Sequence, residues 1–450
     1  MMSIVKSISM GFLILLFAGT AIGGVTKEEV AQLGKTLTAM GAEKAGNADG
    51  TIPAYTGGLV TGNAEVGPVV KNNPYADEKP LFSITVKNMA QYADKLSEGV
   101  KARMQQYPDT YRMDVYKTHR TAAFPEWVNE ATIKNAGKAE TVNEGYGIKN
   151  AHAFTPFPIP KTGAEAMWNK LTVYTANQKI NFGNAYLVDG NGRALLSSRG
   201  LVIQEFPYWD RSKDSSDFFF MLKRMWDAPA RRSGEGLMLM EPLNFMENPR
   251  RAWQYLPGQR RVKVSPDVNY DTPDPAFSGA STFDDNLIFN GPMDRYTWKL
   301  TGKKEMYVAY NNFKMAWYTT AEDLFQPGHI NPDVVRWELH RVWVVEATLR
   351  PDKRHIYHKR VFYLDEDSWN ALLSDQYDAQ GKIYRAGVMY MLPLTCVPVP
   401  DYLLLGHYDF VTRQYTLSGR SAVGEDKWDS IAPLPPNEWS PDTLAGSGIR

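Results

Sequence analysis

The stretch Arg336-Trp337-Glu338-Leu339-His340-Arg341-Val342-Trp343-Val344-Val345-Glu346-Ala347-Thr348-Leu349 decides the fold. Its odd positions carry Trp337, Leu339, Arg341, Trp343, Val345, Ala347 and Leu349, all apolar except Arg341. Its even positions include Glu338, His340, Glu346 and Thr348. Alternation with period two, rich in Val and Trp, predicts a strand with one buried face. From Val335 to Arg385 the chain reads as three such strands joined by two tight turns, at Arg350–Arg354 and Asp365–Ser368. A sheet with one aromatic face needs a cover, and the cover bears on function.

Working outward, hairpin signals recur. Asp189-Gly190-Asn191-Gly192 separates two apolar runs, and Pro257-Gly258 separates Ala252–Leu256 from Arg261–Val264. Further strands are expected at Leu201–Phe206, Phe218–Trp226, Leu237–Met240, Tyr296–Leu300, Ile383–Tyr390 and Tyr408–Leu417. Strands joined mostly by hairpins imply an antiparallel sheet. The N-terminal side reads differently. Thr26-Lys27-Glu28-Glu29 resembles a capping box, followed by Val30, Leu33, Leu37 and Met40 at helical spacing. An extended arm follows over Gly41–Pro80, then helices near Asn88–Tyr107, Phe124–Val128 and Ala166–Trp168. The expected fold is α+β: a large open antiparallel sheet with a helical and extended N-terminal arm. The expected division is a signal peptide over 1–23, the arm over 24–165, the sheet domain over 166–427 and a flexible tail over 428–450.

Composition narrows the function. The formal net charge is zero, which argues against a nucleic-acid partner. Lys6, the apolar run Met10–Phe17 and the small residues Ala18–Gly24 read as a secretory signal; a short membrane anchor is the alternative. The single cysteine, Cys396, allows no intrachain disulfide. No nucleophile elbow, phosphate loop or zinc-protease motif is present, so no catalytic residue and no cofactor is assigned.

His340, His355 and His358 suggest a metal site, but geometry disperses them. With the first turn centred on Arg350–Arg354, His340 faces Asp365 and His358 faces Ala347. At roughly 3.3 Å per residue, His340 and His358 then lie about 20 Å apart. The same register sets an aromatic wall of Trp337, Leu339, Trp343, Phe362, Leu364 and Trp369, into which Arg341, His358, Arg360 and Asp375 project. His358 and Asp375 are expected to be cross-strand neighbours. These ten residues are the candidate ligand-binding set. The functional reading is a headgroup or carboxylate site in an apolar groove. The alternatives are a paired structural cluster, or a slip of one residue that turns these side chains to solvent.

The segments Gly41–Pro53, Pro156–Pro160, Gly302–Tyr307, Glu338–Asp367 and Asp375–Asp378, with Gly381, together resemble domain-of-unknown-function family thirteen-twenty-nine (DUF1329) of Gram-negative bacteria. The resemblance spans nearly the whole chain after the signal. It implies a half-barrel like the LolA/LolB lipoprotein carriers, with helices on the concave side and a periplasmic location; association with the outer membrane is the alternative. It also implies a shared envelope pathway with an RND-type (MMPL-like) exporter and an outer-membrane protein. It carries over no catalytic residue. Three hypotheses follow: a periplasmic carrier of lipid or another hydrophobic compound with peripheral membrane contact; an adaptor subunit of an export complex; and an enzyme, supported only by His358, Arg360 and Asp375.

Overall fold

The computed structural model describes residues 24–62, 67–68, 72–420 and 428–447; the signal-like segment lies outside them. Thirteen strands form one antiparallel ladder. They are β1 (Gln178–Val188), β2 (Ala194–Glu205), β3 (Phe218–Ala228), β4 (Gly236–Pro242), β5 (Arg251–Leu256) and β6 (Arg261–Val264), then β7 (Tyr296–Ala309), β8 (Trp337–Leu349), β9 (Lys359–Asp365), β10 (Ala371–Tyr377), β11 (Ile383–Leu394), β12 (Val399–Asp409) and β13 (Tyr415–Arg420). Hairpins join β1 through β6, and β8 through β13. The pairing of β13 with β1, and of β7 with β8, fuses both runs into one sheet. Four short strands extend it to seventeen, with one parallel contact, Trp337 to Val115. Among the described residues the end strands β6 and β7 do not pair with each other, so the sheet is an open half-barrel rather than a closed one. No helix of the described residues is long and apolar enough to cross a membrane.

One face of the sheet carries Phe362, Met389, Leu405, Gln204 and Arg224 and is called inner here. The faces follow from strand alternation and register. Residues 38–53, helix α4 (Gly163–Leu171, the next after α3 at Glu126–Asn135) and the loop 274–290 cover it. Helix α4 starts at a capping box between Thr162 and Glu165 and buries Ala166, Met167 and Trp168 completely. Gly163 lets the helix touch β7, since a Cβ there would stand 2.7 Å from the Lys299 nitrogen.

The outer face is covered too, contrary to the expectation of one solvent side. Glu338, His340, Val342 and Val344 are all buried. The Glu338 carboxylate accepts from the His119 backbone N–H at 2.8 Å and from Asn311 at 3.0 Å. Helix α2 (Glu98–Gln106) lies on this outer face, against Ala386 and Asp375, and not on the concave side.

The N-terminal arm is less helical than its periodicity suggests. The Thr26 capping box forms, but α1 spans only Lys27–Val30, and Gly34 turns the chain at φ +78°. The expected helix over Asn88–Tyr107 splits into a 3₁₀ segment, Met89–Lys95, and α2, because Leu96 is extended. The strand expected at Tyr408–Leu417 is instead a hairpin between β12 and β13. Residues expected to form a flexible tail are ordered as Trp428–Ser430, Pro436–Trp439 and Pro441–Ser447. Trp439 and Leu444 pack there on Met221, Met238, Met240 and Tyr255 of the outer face. The Trp439 indole donates to Glu205 at 2.6 Å.

Candidate functional site

The β8–β9 register is displaced by two residues from the expected one: Val342, not His340, faces Asp365, and Arg360 faces Ala347. A shift of two keeps every side chain on its face. Phe362, Leu364 and Arg360 therefore do share a face with Trp337, Leu339, Arg341 and Trp343. Between β9 and β10 the outcome differs. Leu364 faces Ala371 but Tyr363 faces Leu373, so Leu372 is an extra residue, a β-bulge. Beyond the bulge the faces exchange. Asp375 pairs with Val361 and points outward, while Gln376 faces Arg360. His358 precedes β9 and is exposed. The predicted cluster of His358, Arg360 and Asp375 does not form.

Each member has a local explanation. Asp375 is fully buried and accepts from the Glu98 and Gly99 backbone N–H groups at 2.9 and 2.8 Å, and from the Tyr363 hydroxyl at 2.9 Å. It holds the N-terminus of α2. Burial raises its pKa; these hydrogen bonds oppose that shift. Arg341 donates to the Ala45 carbonyl at 2.9 Å. Trp343 stacks on Trp369 with centroids 6.1 Å apart, and the Trp369 indole donates to the Met40 carbonyl at 2.9 Å. Trp337, Leu339, Phe362, Leu364 and Trp369 are all buried by the protein's own side chains. The aromatic wall is therefore sealed under residues 38–53, α4 and the 274–290 loop.

Of the three histidines, His355 meets Asp284 at 3.0 Å, His340 meets Glu338 at 3.1 Å, and His358 meets neither cluster. His340 instead approaches Asp365 and Asp367, with ligand-type atoms all within 4.8 Å. Arg120 already grips both oxygens of Asp367, at 2.6 and 2.9 Å. Burial, reinforced by Asp367, raises the Asp365 carboxyl to about 6.

Arg360 leads to the loop that caps the inner face. Its two terminal nitrogens donate to Asp284 and Asp285 at 2.9 and 3.0 Å, with all three residues buried. Burial alone would raise the Asp284 carboxyl; Arg360 and His355 outweigh it and hold it well below the usual carboxylate range. This ionic anchor fixes residues 282–290 as a cap over the inner face. At the cap's far end the Asn290 amide donates to Glu241 at 2.8 Å, and Lys170 of α4 donates to the Phe289 carbonyl. Gly387 on β11 leaves room for Ile288, whose Cδ1 would stand 3.1 Å from an added Cβ. Leu287 and Ile288 have φ of +53° and +69°. Positive φ is unusual for bulky residues and costs about 1–3 kcal/mol each.

Under the cap lie two adjoining cavities of about 80 and 30 Å³, with Lys179, Gln204, Phe220, Leu287 and Tyr402 in both walls. The larger is also bounded by Val202, Leu222, Arg224, Phe277 and Leu405. The smaller reaches Phe206, Phe219 and Met389. The row Asn181–Val202–Arg224 and the row Lys179–Gln204–Leu222 place these side chains on neighbouring strands of one face. Ligand pockets for drug-sized molecules run to about 300–1,000 Å³. A long apolar ligand therefore enters only if the cap moves.

None of these β1–β3 residues was in the sequence-derived set. Lys223 and Arg224 are adjacent on a strand and point to opposite faces, but nothing in the sequence says which turns inward, and the cap contacts are tertiary.

An open half-barrel is the architecture that the sequence segments pointed to, and the comparisons agree on the family; the capped cavity on β1–β3 lies outside the sequence-derived set. The model of the family described as "Protein of unknown function (DUF1329)" matches residues 83–445, and the chain belongs to that family. It is 40% identical over 443 residues to uncharacterized protein PA3922 of Pseudomonas aeruginosa, covering 97% of this chain and 96% of that one. Among solved structures it is similar to a DUF1329 family protein from Desulfovibrio piger, with 14% identity and a TM-score of 0.39 over 60% of this chain and 92% of that one. It is also similar to a LolA superfamily protein from Nitrosomonas europaea, with 10% identity and a TM-score of 0.38 over 63% and 99% of the two chains.

Proposed function

We propose that the chain is a periplasmic carrier of a lipid or another hydrophobic compound, working between the inner and outer membranes. The observation that carries this reading is the cap: a strained, anchored loop closes an inner face lined by Phe220, Leu222, Phe206 and Met389. Burying each CH₂ of a ligand contributes about 0.8 kcal/mol. A chain of modest length therefore offsets displacement of Leu287 and Ile288, whose backbone strain favours release. The signal-like segment around Met10–Phe17 supports an exported location. Hand-over partners are envelope membrane proteins, such as an RND-type exporter or an outer-membrane protein. The second reading, an adaptor subunit of an export complex, gains no support from residues 38–53, which lie against the sheet. No enzymatic step is proposed.

The test is fluorescence of N-phenyl-1-naphthylamine with delipidated protein. The expected result is saturable enhancement, lost in Val202→Trp, which fills the larger cavity, with an unchanged circular-dichroism spectrum. No enhancement with the wild type overturns the reading.

A further inference from the structure

Four charged side chains line the two cavities: Lys170, Lys179, Arg224 and Asp401. Three are bases and one is an acid. Lys179 and Asp401 neutralise each other at 3.0 Å. Lys170 is spent on the Phe289 carbonyl, and burial lowers its ammonium to about 7. Arg224 is left over. It is half-buried, its Nε is enclosed without a hydrogen-bond partner, and no carboxylate pairs with it among the described residues.

That isolation is unusual within this molecule. Arg360, Arg250, Arg120, Arg336 and Arg385 each hold a carboxylate. Arg103, which lacks one, lies 3.5 Å from the Tyr408 ring centroid and is a close cation–π case; Arg224 has only the Trp226 ring, at 5.5 Å. Asp274 is the acid whose charge acts on Arg224, yet its carboxylate accepts from the Ala276 backbone N–H at 2.8 Å and makes no ion pair with the guanidinium. Burial lowers Arg224 to about 10, so it stays charged at neutral pH. A half-buried cation without a counter-ion bears part of the cost of desolvation unless something supplies the charge, and its terminal nitrogens remain open to a partner. Guanidinium is suited to planar, two-point recognition of carboxylate or phosphate.

Resting on the carrier reading above, we infer that the cargo is an anionic amphiphile, with its carboxylate or phosphate against Arg224 and its chain running under Leu287 toward Phe206 and Phe219. The charge and the apolar lining are adjacent along one face, so one molecule satisfies both.

Titration calorimetry with decanoate, decyl phosphate, decanol and inorganic phosphate tests this, each amphiphile kept below its micelle concentration. The wild type is expected to bind at least one of the two anionic amphiphiles about tenfold or more tighter than decanol, the scale of one charge-assisted hydrogen bond. Arg224→Gln is expected to lose that preference while keeping its decanol affinity, and Arg224→Lys to keep part of it. Which of decanoate and decyl phosphate binds more tightly assigns the headgroup. Equal affinity for decanol, or a preference that survives in Arg224→Gln, overturns the anionic cargo and leaves the carrier reading standing. Inorganic phosphate binding as tightly as decyl phosphate marks a free-anion site and overturns the amphiphile. Binding of none of the four overturns the carrier reading itself.

Discussion

The two halves of this sheet handle buried charge in opposite ways. Around β8–β10, every ionised side chain turned inward is matched: Arg360 with Asp284 and Asp285, Arg341 with the Glu366 carboxylate and the Ala45 carbonyl. That half has no cavity among those described at its aromatic wall, and its covers are held by specific hydrogen bonds. Around β1–β3, the inner face keeps free volume and the unpaired Arg224. The lesson is that the most aromatic, most recognisable part of the chain is the frame. The less conspicuous half holds the capped cavity.

This contrast breaks most visibly under paired substitutions. Arg360→Met strands Asp284 and Asp285 as buried acids and is expected to cost about 3–5 kcal/mol in guanidinium unfolding. Arg224→Met removes an uncompensated cation and is expected to leave stability unchanged or raise it. A comparable loss in both variants erases the distinction.

A smaller effect sharpens the account of the covers. Trp369→Phe leaves the Met40 carbonyl without its donor and is expected to cost about 1–3 kcal/mol, with faster proteolysis within residues 38–53.

The Asp365 carboxyl gives a pH-dependent case. Its folded pKa, about 6, lies above the ordinary value of 3.8. The folded state therefore holds a proton that the unfolded chain has released. Its contribution is full below pH 3.8 and is lost as pH rises through about 6. Asp365→Asn, which cannot ionise, is expected to be more stable than the wild type in chemical unfolding at pH 7.5, by roughly 1–3 kcal/mol at about 1.4 kcal/mol per pKa unit. The gap should narrow at pH 4.5. A constant gap across that range contradicts the assignment. The smallest effect belongs to His358→Ala. Its exposed ring touches no cluster, and the expected change is within about 0.5 kcal/mol in chemical unfolding.

How much of this was legible follows from particular residues. The alternation over Trp337–Leu349 gave the strand and its apolar face, and the two-residue displacement of β9 did no harm because faces repeat every two residues. The bulge at Leu372 could not be read. It inserts one residue by tertiary fit, and it alone moved Asp375 from the wall to the α2 terminus. The β11–β12 hairpin was obscured by Pro393 and Pro400, which demote a strand reading and here face each other across the pair. Arg360 was rightly suspected of lying on the inner face, but its partners come from the distant Asp284-Asp285, where the sequence shows only a loop with a short helical turn. The inner cavity depends on Leu287 and Ile288 adopting backbone angles that nothing in their side chains favours.

The central claim is that the inner face of β1–β3, beneath residues 282–290, takes up a hydrophobic ligand. Native mass spectrometry of the protein purified without detergent tests it directly, with Val202→Trp prepared in parallel. A discrete, extractable adduct is expected on the wild type and is expected to be missing from the variant. A wild-type spectrum showing only the bare chain, or an adduct retained equally by the filled cavity, contradicts it.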